Sequence, residues 1–328
     1  MGIGLLTSGG DAPGMNAAVR AVVRCGTERG IDMFGIHRGY NGLIEGEIEQ
    51  LDNRAVGGII ERGGTMLRSA RSPRFLTKEG QQAALAQADG HGIDRLVIVG
   101  GNGSLRGARW LQQNGLSCVG IPASIDNDIP RTDLSIGVDT AVNTVVDALN
   151  RLRDTAVAHE RAFVIEVMGR RSGYIALNGG LAGGAEVILL PELELSMSNV
   201  VEAVCAGVRS GKKHSIIVVA EGFRPTDGPE SMPSPGRAIA DALEADGTVE
   251  TRLTILGHLQ RGGSPTAADR LLACRFAQAA VAWVAEGKTG VYTALRGKDI
   301  VPVPLEEIEE TCENVDLRLL KLSQVLAH

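Results

Sequence analysis

Positive charge is in short supply in this chain of 328 residues: 33 Lys and Arg stand against 39 Asp and Glu, a formal net charge of −6. No overall basic field exists to draw in nucleic acid, so any phosphate must be met by local arginines and backbone amides. Cysteines are few and scattered. Cys25, Cys118, Cys205, Cys274 and Cys312 are odd in number and form no CxxC pair, so they read as small buried hydrophobes in a reducing compartment rather than as metal or redox groups. No apolar run reaches the ~18 residues of a bilayer span, and Met1-Gly2-Ile3-Gly4-Leu5-Leu6 lacks the cationic start of a secretion signal. A cytoplasmic protein with neither membrane nor nucleic-acid partners is expected. His37, His91, His159, His214 and His328 show no metal-ligand spacing, and neither a G-x-S-x-G elbow nor a catalytic-cysteine signature occurs. Aromatic residues make up only 3%.

Glycine, by contrast, is abundant, at 43 residues without collagen periodicity, which implies many tight turns where backbone approaches a ligand. The length suggests two domains. Short apolar runs alternate with helical segments: Ile3–Leu6, Arg95–Val99, Cys118–Ile121, Phe163–Val167, Val187–Leu190 and Ile216–Ala220 read as strands, while Asn16–Glu28, Leu105–Gln113 and Thr140–Ala158 read as helices. Buried strands of that length between helices predict parallel sheets in an α/β fold, where ligands bind outside the carboxyl ends of the strands. Nearly every polar, glycine-rich motif sits at such an end. Thr140–Ala158 reads as the crossover into a second domain, the proline-rich stretch 224–236 as a loop, and the tail from Glu306 as an amphipathic closing helix.

Ser8-Gly9-Gly10-Asp11-Ala12-Pro13-Gly14 follows the first strand and opens a helix, so its backbone N–H groups can converge on an anion. It is neither a GxGxxG nor a Walker A loop, and a plain tight turn is the competing reading. Gly100-Gly101-Asn102-Gly103-Ser104 repeats the arrangement at a second strand end. Two such loops in one sheet suit a polyphosphate spanning two strand tops. In Asp126-Asn127-Asp128, one carboxylate can accept a hydroxyl proton while the other helps hold a metal, or the triplet is an Asx-turn that only closes its loop. Arg71, Arg161, Arg170, Arg252 and Arg261 are fork-shaped donors suited to phosphate, although spacing does not say which of them converge.

The runs Leu6–Asn16, Arg62–Thr65 with Ser69-Ala70-Arg71, Ile125–Asp128, Glu166–Arg170 and Leu256–Pro265 resemble the bacterial-type 6-phosphofructokinases, from Gly4 to about Ala273. The resemblance implies two three-layer α/β/α domains with mainly parallel sheets and an active site in the cleft between them. Residues 1–138 plus 252–305 would bind the phosphoryl donor, and 139–251 plus 306–328 the sugar phosphate. It implies transfer of the ATP γ-phosphoryl group to the 1-hydroxyl of fructose 6-phosphate with Mg2+. Asp126 resembles the general base and Asp128 its partner near magnesium. Arg71, Arg170 and the Gly9 amide resemble charge stabilisers, with Ser124 where the family has threonine. Met168, Gly169, Glu221 and His258 resemble sugar contacts, and Arg161, Arg252 and Arg261 the clamp on the 6-phosphate.

In the family, Arg161 and Arg252 come from a neighbouring subunit, which implies a homotetramer with shared active sites. Gly9, Gly10, Tyr40, Arg71, Ser72, Gly101, Asn102, Gly103, Ser104 and Gly107 resemble the nucleotide site, with Asn102 and Asp128 as its metal residues. Arg20, Arg24, Arg153, Glu186, Lys212 and Lys213 resemble an anionic-effector site, in which Ser210 replaces a basic residue. Asn102 stands where ATP-using members usually carry aspartate, and Ser72 where an aromatic residue often meets the base. Gly103 and Ala123 are small where pyrophosphate-using relatives have aspartate and lysine, which favours ATP. A pyrophosphate- or other-nucleotide-dependent enzyme and a non-catalytic regulatory paralogue are the alternatives.

Overall fold

The computed structural model describes residues 2–229, 232–309 and 315–327; Cys312 and His328 lie outside the described residues. In chain order the elements are β1 (Gly2–Ser8), α1 (Met15–Glu28), β2 (Asp32–Ile36), α2 (Tyr40–Glu45), β3 (Ile48–Leu51), α3 (Lys78–Gly90), β4 (Ile93–Gly100), α4 (Asn102–Gln113), β5 (Ser117–Pro122) and α5 (Val138–His159). There follow β6 (Ala162–Val167), α6 (Tyr174–Ala182), β7 (Val187–Leu189), α7 (Met197–Arg209), β8 (Ser215–Ala220), α8 (Pro235–Asp246) and β9 (Thr251–Ile255). The chain closes with α9 (Ala267–Ala285), β10 (Val291–Arg296), β11 (Asp299–Pro304) and α10 (Leu317–Leu326).

Two compact units result. The first holds the chain as far as Thr140 together with the stretch that starts at Arg261; the second holds Ala141–Gln260 and α10. The second unit ends later than the sequence suggests because Thr251–Ile255 pairs in parallel with β6. The turn Leu305–Glu309 stays with the first unit, where Leu305 and Ile308 are buried in the same cluster as Leu105 and Leu111 of α4.

The sheet of the first unit has seven strands in the order β11-β10-β5-β4-β1-β2-β3. Its centre is parallel, and the edges β3 and β11 are antiparallel. β1 and β4 are apolar on both faces and almost wholly buried, as a strand covered by helices on both sides must be. On one face Leu6, Leu96, Ile98 and Cys118 pack under Leu43, Ala84, Leu105 and Leu111, and on the other α1 lies along α9. From β1 the chain winds outward to β2 and β3, and from β4 it winds the opposite way. The crevice between β1 and β4 is therefore the topological switch point, where open α/β sheets bind ligands. Both glycine loops leave the sheet there, with Ser8 in register with Gly100.

One buried carboxylate ties the return of the chain into this unit. Asp269 is 1% exposed and accepts from the Gly137 amide at 2.8 Å, the Thr140 amide at 2.8 Å and the Thr140 hydroxyl at 2.6 Å. Burial pushes its carboxyl above the ordinary range, and these donors pull it back. It stands at the N-terminus of α5, where a negative charge is favoured.

The sheet of the second unit has four parallel strands in the order β7-β8-β6-β9. Val164, Ile217 and Val219 pack against Val200 and Val204 of α7 and Ile239 and Leu243 of α8. α8 starts at Pro235, whose missing N–H costs nothing in a first turn, so the helix begins where the proline-rich stretch was expected to remain loop. The expected closing helix is α10.

Candidate active site

The glycine turn after β1 is shaped by close approach. Gly9 has φ +87, which strongly favours glycine. Gly100, the register neighbour of Ser8, has no room for a side chain: a Cβ there would lie 2.5 Å from the Ser8 carbonyl and 2.6 Å from Ser104 Oγ. At Gly10 a Cβ would meet Nη1 of Arg261 at 2.1 Å. Arg261 therefore lies flat on the glycine turn, donates from Nη1 to the Asp11 carbonyl at 3.2 Å, and has a buried Nε without a partner among the described residues.

The second glycine turn opens α4. Asn102 donates from Nδ2 to the Asp128 carbonyl at 3.1 Å, which ties this turn to the carboxylate loop after β5. Its Oδ1 is buried and has no partner among the described residues. No three His, Cys, Asp or Glu side chains gather to hold a metal among the described residues, so a metal here would need other oxygens. Magnesium is usually held by one or two carboxylates together with substrate phosphates and water. An orphaned amide oxygen whose own Nδ2 is bonded to the loop of Asp128 fits that demand. A Cβ at Gly103 would meet nothing within 4 Å.

Asp126 is 2% exposed. The loop that presents it is held from within: its amide donates to Ser124 Oγ at 3.2 Å, and Ser135 Oγ donates to the Ser124 carbonyl at 2.7 Å. Asn127 stands at φ +49, a conformation that asparagine tolerates better than most residues. Its amide donates to the Asp133 carbonyl at 3.1 Å and its oxygen accepts from the Ser135 amide at 3.1 Å. The triplet is thus more than an Asx-turn. Asn127 braces the loop from which the carboxylates on either side of it project.

Arg71 is exposed at the end of an irregular loop, and its carbonyl accepts from Asn41 Nδ2 at 3.3 Å. Ser72, expected to meet a nucleotide base, instead caps the short 3-10 helix Pro73–Leu76 and donates to Asn41 Oδ1 at 2.5 Å. Tyr40 is likewise redirected. It is 4% exposed, stacks on Phe75 with ring centroids 4.2 Å apart, and donates its hydroxyl to the Ser104 carbonyl at 2.6 Å. Its ring occupies the space left by Gly107, where a Cβ would lie 2.6 Å away. Tyr40 and Gly107 therefore form packing beneath the second glycine turn rather than a face open to a base.

In the second unit the carboxyl end of β6 carries Met168, Gly169 and Arg170, with φ +143 at Gly169 and +53 at Arg170. Oε1 of Glu221 accepts both following amides, from Gly169 at 3.3 Å and from Arg170 at 2.8 Å, so Glu221 holds this turn. Gln260 is fully buried, accepts from the Met168 amide at 3.2 Å and donates to the Gly257 carbonyl at 3.1 Å, bracing the turn that exposes His258. Arg161 and Arg252 do come together. Arg161 Nε binds Glu250 Oε2 at 2.8 Å and Arg252 Nη2 binds its Oε1, and Arg161 beside it holds the Glu250 carboxyl below the usual range. Arg261, the third expected clamp residue, belongs to the first unit.

Of the expected effector residues, Glu186 and Lys212 line a cavity of about 310 Å³ with His214. Arg153 reaches Glu186 at 3.5 Å and donates to the carbonyls of Gly183 and Gly184. Ser210 lines a neighbouring cavity of about 240 Å³ with Lys212. Lys213 turns instead to Glu160 at 2.7 Å, and Arg20 and Arg24 lie on α1 in the first unit. Thr7, Asn16, Ser69, Gln260 and Asp269, which brace these loops, are not singled out by their residue types. Their only signal is a place inside or beside the glycine-rich runs.

Residues 2–284 match the family described as Phosphofructokinase. The chain belongs to the phosphofructokinase family. The ATP-dependent 6-phosphofructokinases of Shouchella clausii and Bacillus subtilis are each 49% identical to it over 325 residues, 99% of either chain. Among solved structures, phosphofructokinase from Saccharomyces cerevisiae superposes with a TM-score of 0.87 at 36% identity, over 94% of this chain and 45% of that one. This chain thus spans less than half the length of the yeast chain. A pyrophosphate-dependent phosphofructokinase from Marinobacter aquaeolei shares the phosphofructokinase fold, with a TM-score of 0.84 at 23% identity over 97% of this chain and 86% of that one. Among the described residues no helix is long and apolar enough to cross a membrane.

Proposed function

We propose that this chain transfers the γ-phosphoryl group of ATP to the 1-hydroxyl of fructose 6-phosphate, giving fructose 1,6-bisphosphate and ADP in the glycolysis of the cytoplasm. The observation that carries this is the buried Asp126 carboxylate on a braced loop, tied through Asn102 and Asp128 to a glycine turn at the sheet's switch point. Phosphoryl transfer asks a protein for positioning and charge stabilisation more than for covalent chemistry. Asp126 takes the proton of the 1-hydroxyl as its oxygen bonds to the γ-phosphorus and the bond to ADP breaks. Arg71, Arg170 and the Gly9 amide offset the charge that spreads over the phosphoryl oxygens, and the Ser124 hydroxyl sets the carboxylate loop. Gly10, Gly101, Gly103 and Ser104 line the donor's phosphates, and the first unit is the donor unit.

Met168, Gly169, Glu221 and His258 contact the sugar in the second unit. Arg161 and Arg252 exchange Glu250 for the 6-phosphate, and Arg261 exchanges the Asp11 carbonyl for the same group. The enzyme works as a homotetramer in which Arg161 and Arg252 serve a neighbouring subunit's site, and the cavity lined by Glu186 and Lys212 takes an anionic effector. Asn102 and Asp128 would hold magnesium, which would supply positive charge against the phosphate oxygens.

Purified protein given fructose 6-phosphate should turn over with Mg-ATP and not with Mg-pyrophosphate. Turnover with pyrophosphate alone would reassign the donor, and turnover with neither would favour a regulatory paralogue. Because Asn102 supplies oxygen without charge, Asn102→Asp should lower the magnesium concentration for half-maximal rate by about fivefold, in line with the dependence of cation affinity on ligand charge. An unchanged magnesium titration would remove Asn102 from the metal site.

A further inference from the structure

Between β3 and the 3-10 helix at Pro73 the chain has neither strand nor α-helix, yet it delivers Arg71. Three side chains hold it in place. Ser69 donates from Oγ to the Gly9 carbonyl at 2.5 Å. Thr7, fully buried at the end of β1, donates to the Arg68 carbonyl at 2.7 Å, which leaves Thr65 as the donor in their 2.9 Å hydroxyl pair. Asn16, 3% exposed at the start of α1, donates to the Arg62 and Gly63 carbonyls at 3.1 Å each and accepts from the Met66 amide at 2.7 Å. Each of these side chains fastens the loop through backbone atoms of Gly9, Arg62, Gly63, Met66 or Arg68.

We propose that Ser69, backed by Thr7 and Asn16, is a positioning residue for phosphoryl transfer: its hydroxyl joins the Gly9–Gly10 peptide to the loop that carries Arg71. The inference rests on the reading that Arg71 and the glycine amides act on the transferring group. A glycine at φ +87 with no side chain can rotate its peptide plane at little cost. The bond from Ser69 fixes that plane through the Gly9 carbonyl, which sets where the Gly10 N–H on the opposite side points. Ser69 lies two residues before Arg71, so one hydrogen bond sets the spacing between the Gly10 amide that lines the donor's phosphates and the guanidinium that offsets the phosphoryl charge. Arg68 at φ +58 adds a conformation that a loop released from Thr7 would abandon. Losing this alignment weakens groups that matter most in the transition state, whereas the sugar phosphate is bound by other residues.

The test uses the full chain with Mg-ATP and fructose 6-phosphate. Ser69→Ala should lower kcat by roughly 10- to 50-fold, a fraction of the ~10²-fold that a 1 Å misplacement can cost. KM for fructose 6-phosphate should stay within a margin of about threefold. Ser69→Thr, which keeps the hydroxyl, should restore kcat to within that margin. Thr7→Val and Thr7→Ser form an independent pair with the same expected loss and rescue, and they decide the matter if Ser69→Ala does not fold. A kcat for Ser69→Ala within the margin of the parent, no rescue by the hydroxyl-bearing variants, or an equal loss of sugar-phosphate affinity would overturn the proposal. Arg71→Ala is measured alongside: if it turns over like the parent, the underlying reading of Arg71 fails, whereas loss in Arg71→Ala with none in Ser69→Ala sinks the positioning role alone.

Discussion

Asp126→Asn will lower kcat by about 10³-fold, within the ~10²–10⁴-fold range for a positioned general base, while fructose 6-phosphate still binds. The amide is nearly isosteric with the carboxylate, so the buried site keeps its volume and the amide bond to Ser124 Oγ keeps its partner. What changes is the ability to take a proton from a hydroxyl as it attacks. Without it the oxygen must attack as a neutral alcohol, and its proton must leave to water from a position where water is largely excluded. The loss therefore falls on kcat, and titration calorimetry with fructose 6-phosphate should give a dissociation constant within about threefold of the parent, as expected when an interaction acts in the transition state. Turnover in Asp126→Asn within threefold of the parent would mean that another group, or none, removes the proton.

Much of this site is legible without coordinates, and the reason is local. β1, β4, β5, β6 and β8 are short runs apolar on both faces, a pattern that only a covered parallel sheet explains. Glycine turns at their carboxyl ends follow from adjacency in the chain. The edge strands are less visible: Ile48–Leu51 carries two exposed polar residues, and β10 with β11 forms an antiparallel ribbon. Convergence over long separation is not legible at all. Nothing near Arg261 announces that it will lie on Gly10, about 250 positions earlier in the chain. Arg161 and Arg252 meet only because β6 and β9 are neighbours in the second sheet, and the same pairing moves residues 252–255 out of the first domain. Tyr40 shows the converse. The family resemblance implies a nucleotide-pocket residue, whereas packing buries the ring against Phe75 with its hydroxyl satisfied inside, which no local pattern announces.

On the proposed role of Arg71, an exposed arginine on a braced loop, Arg71→Ala should lower kcat by about 10²–10³-fold, the effect of removing one preorganised donor from a developing charge. The reasoning is geometric. The Arg71 loop is fastened by Thr7, Asn16 and Ser69 through backbone atoms, so removing the guanidinium leaves its setting intact and the loss measures the guanidinium itself. Arg71→Lys should recover only part of the rate, since an ammonium keeps the charge but not the planar fork that meets two phosphoryl oxygens at once. Guanidinium added to Arg71→Ala should then restore some turnover and leave Arg71→Lys unmoved, because only the alanine variant has space for it. Steady-state rates across a guanidinium titration check this. A rate for Arg71→Ala within threefold of the parent would place the stabilisation of the phosphoryl oxygens on other groups, with Arg170 and the glycine amides the first to test.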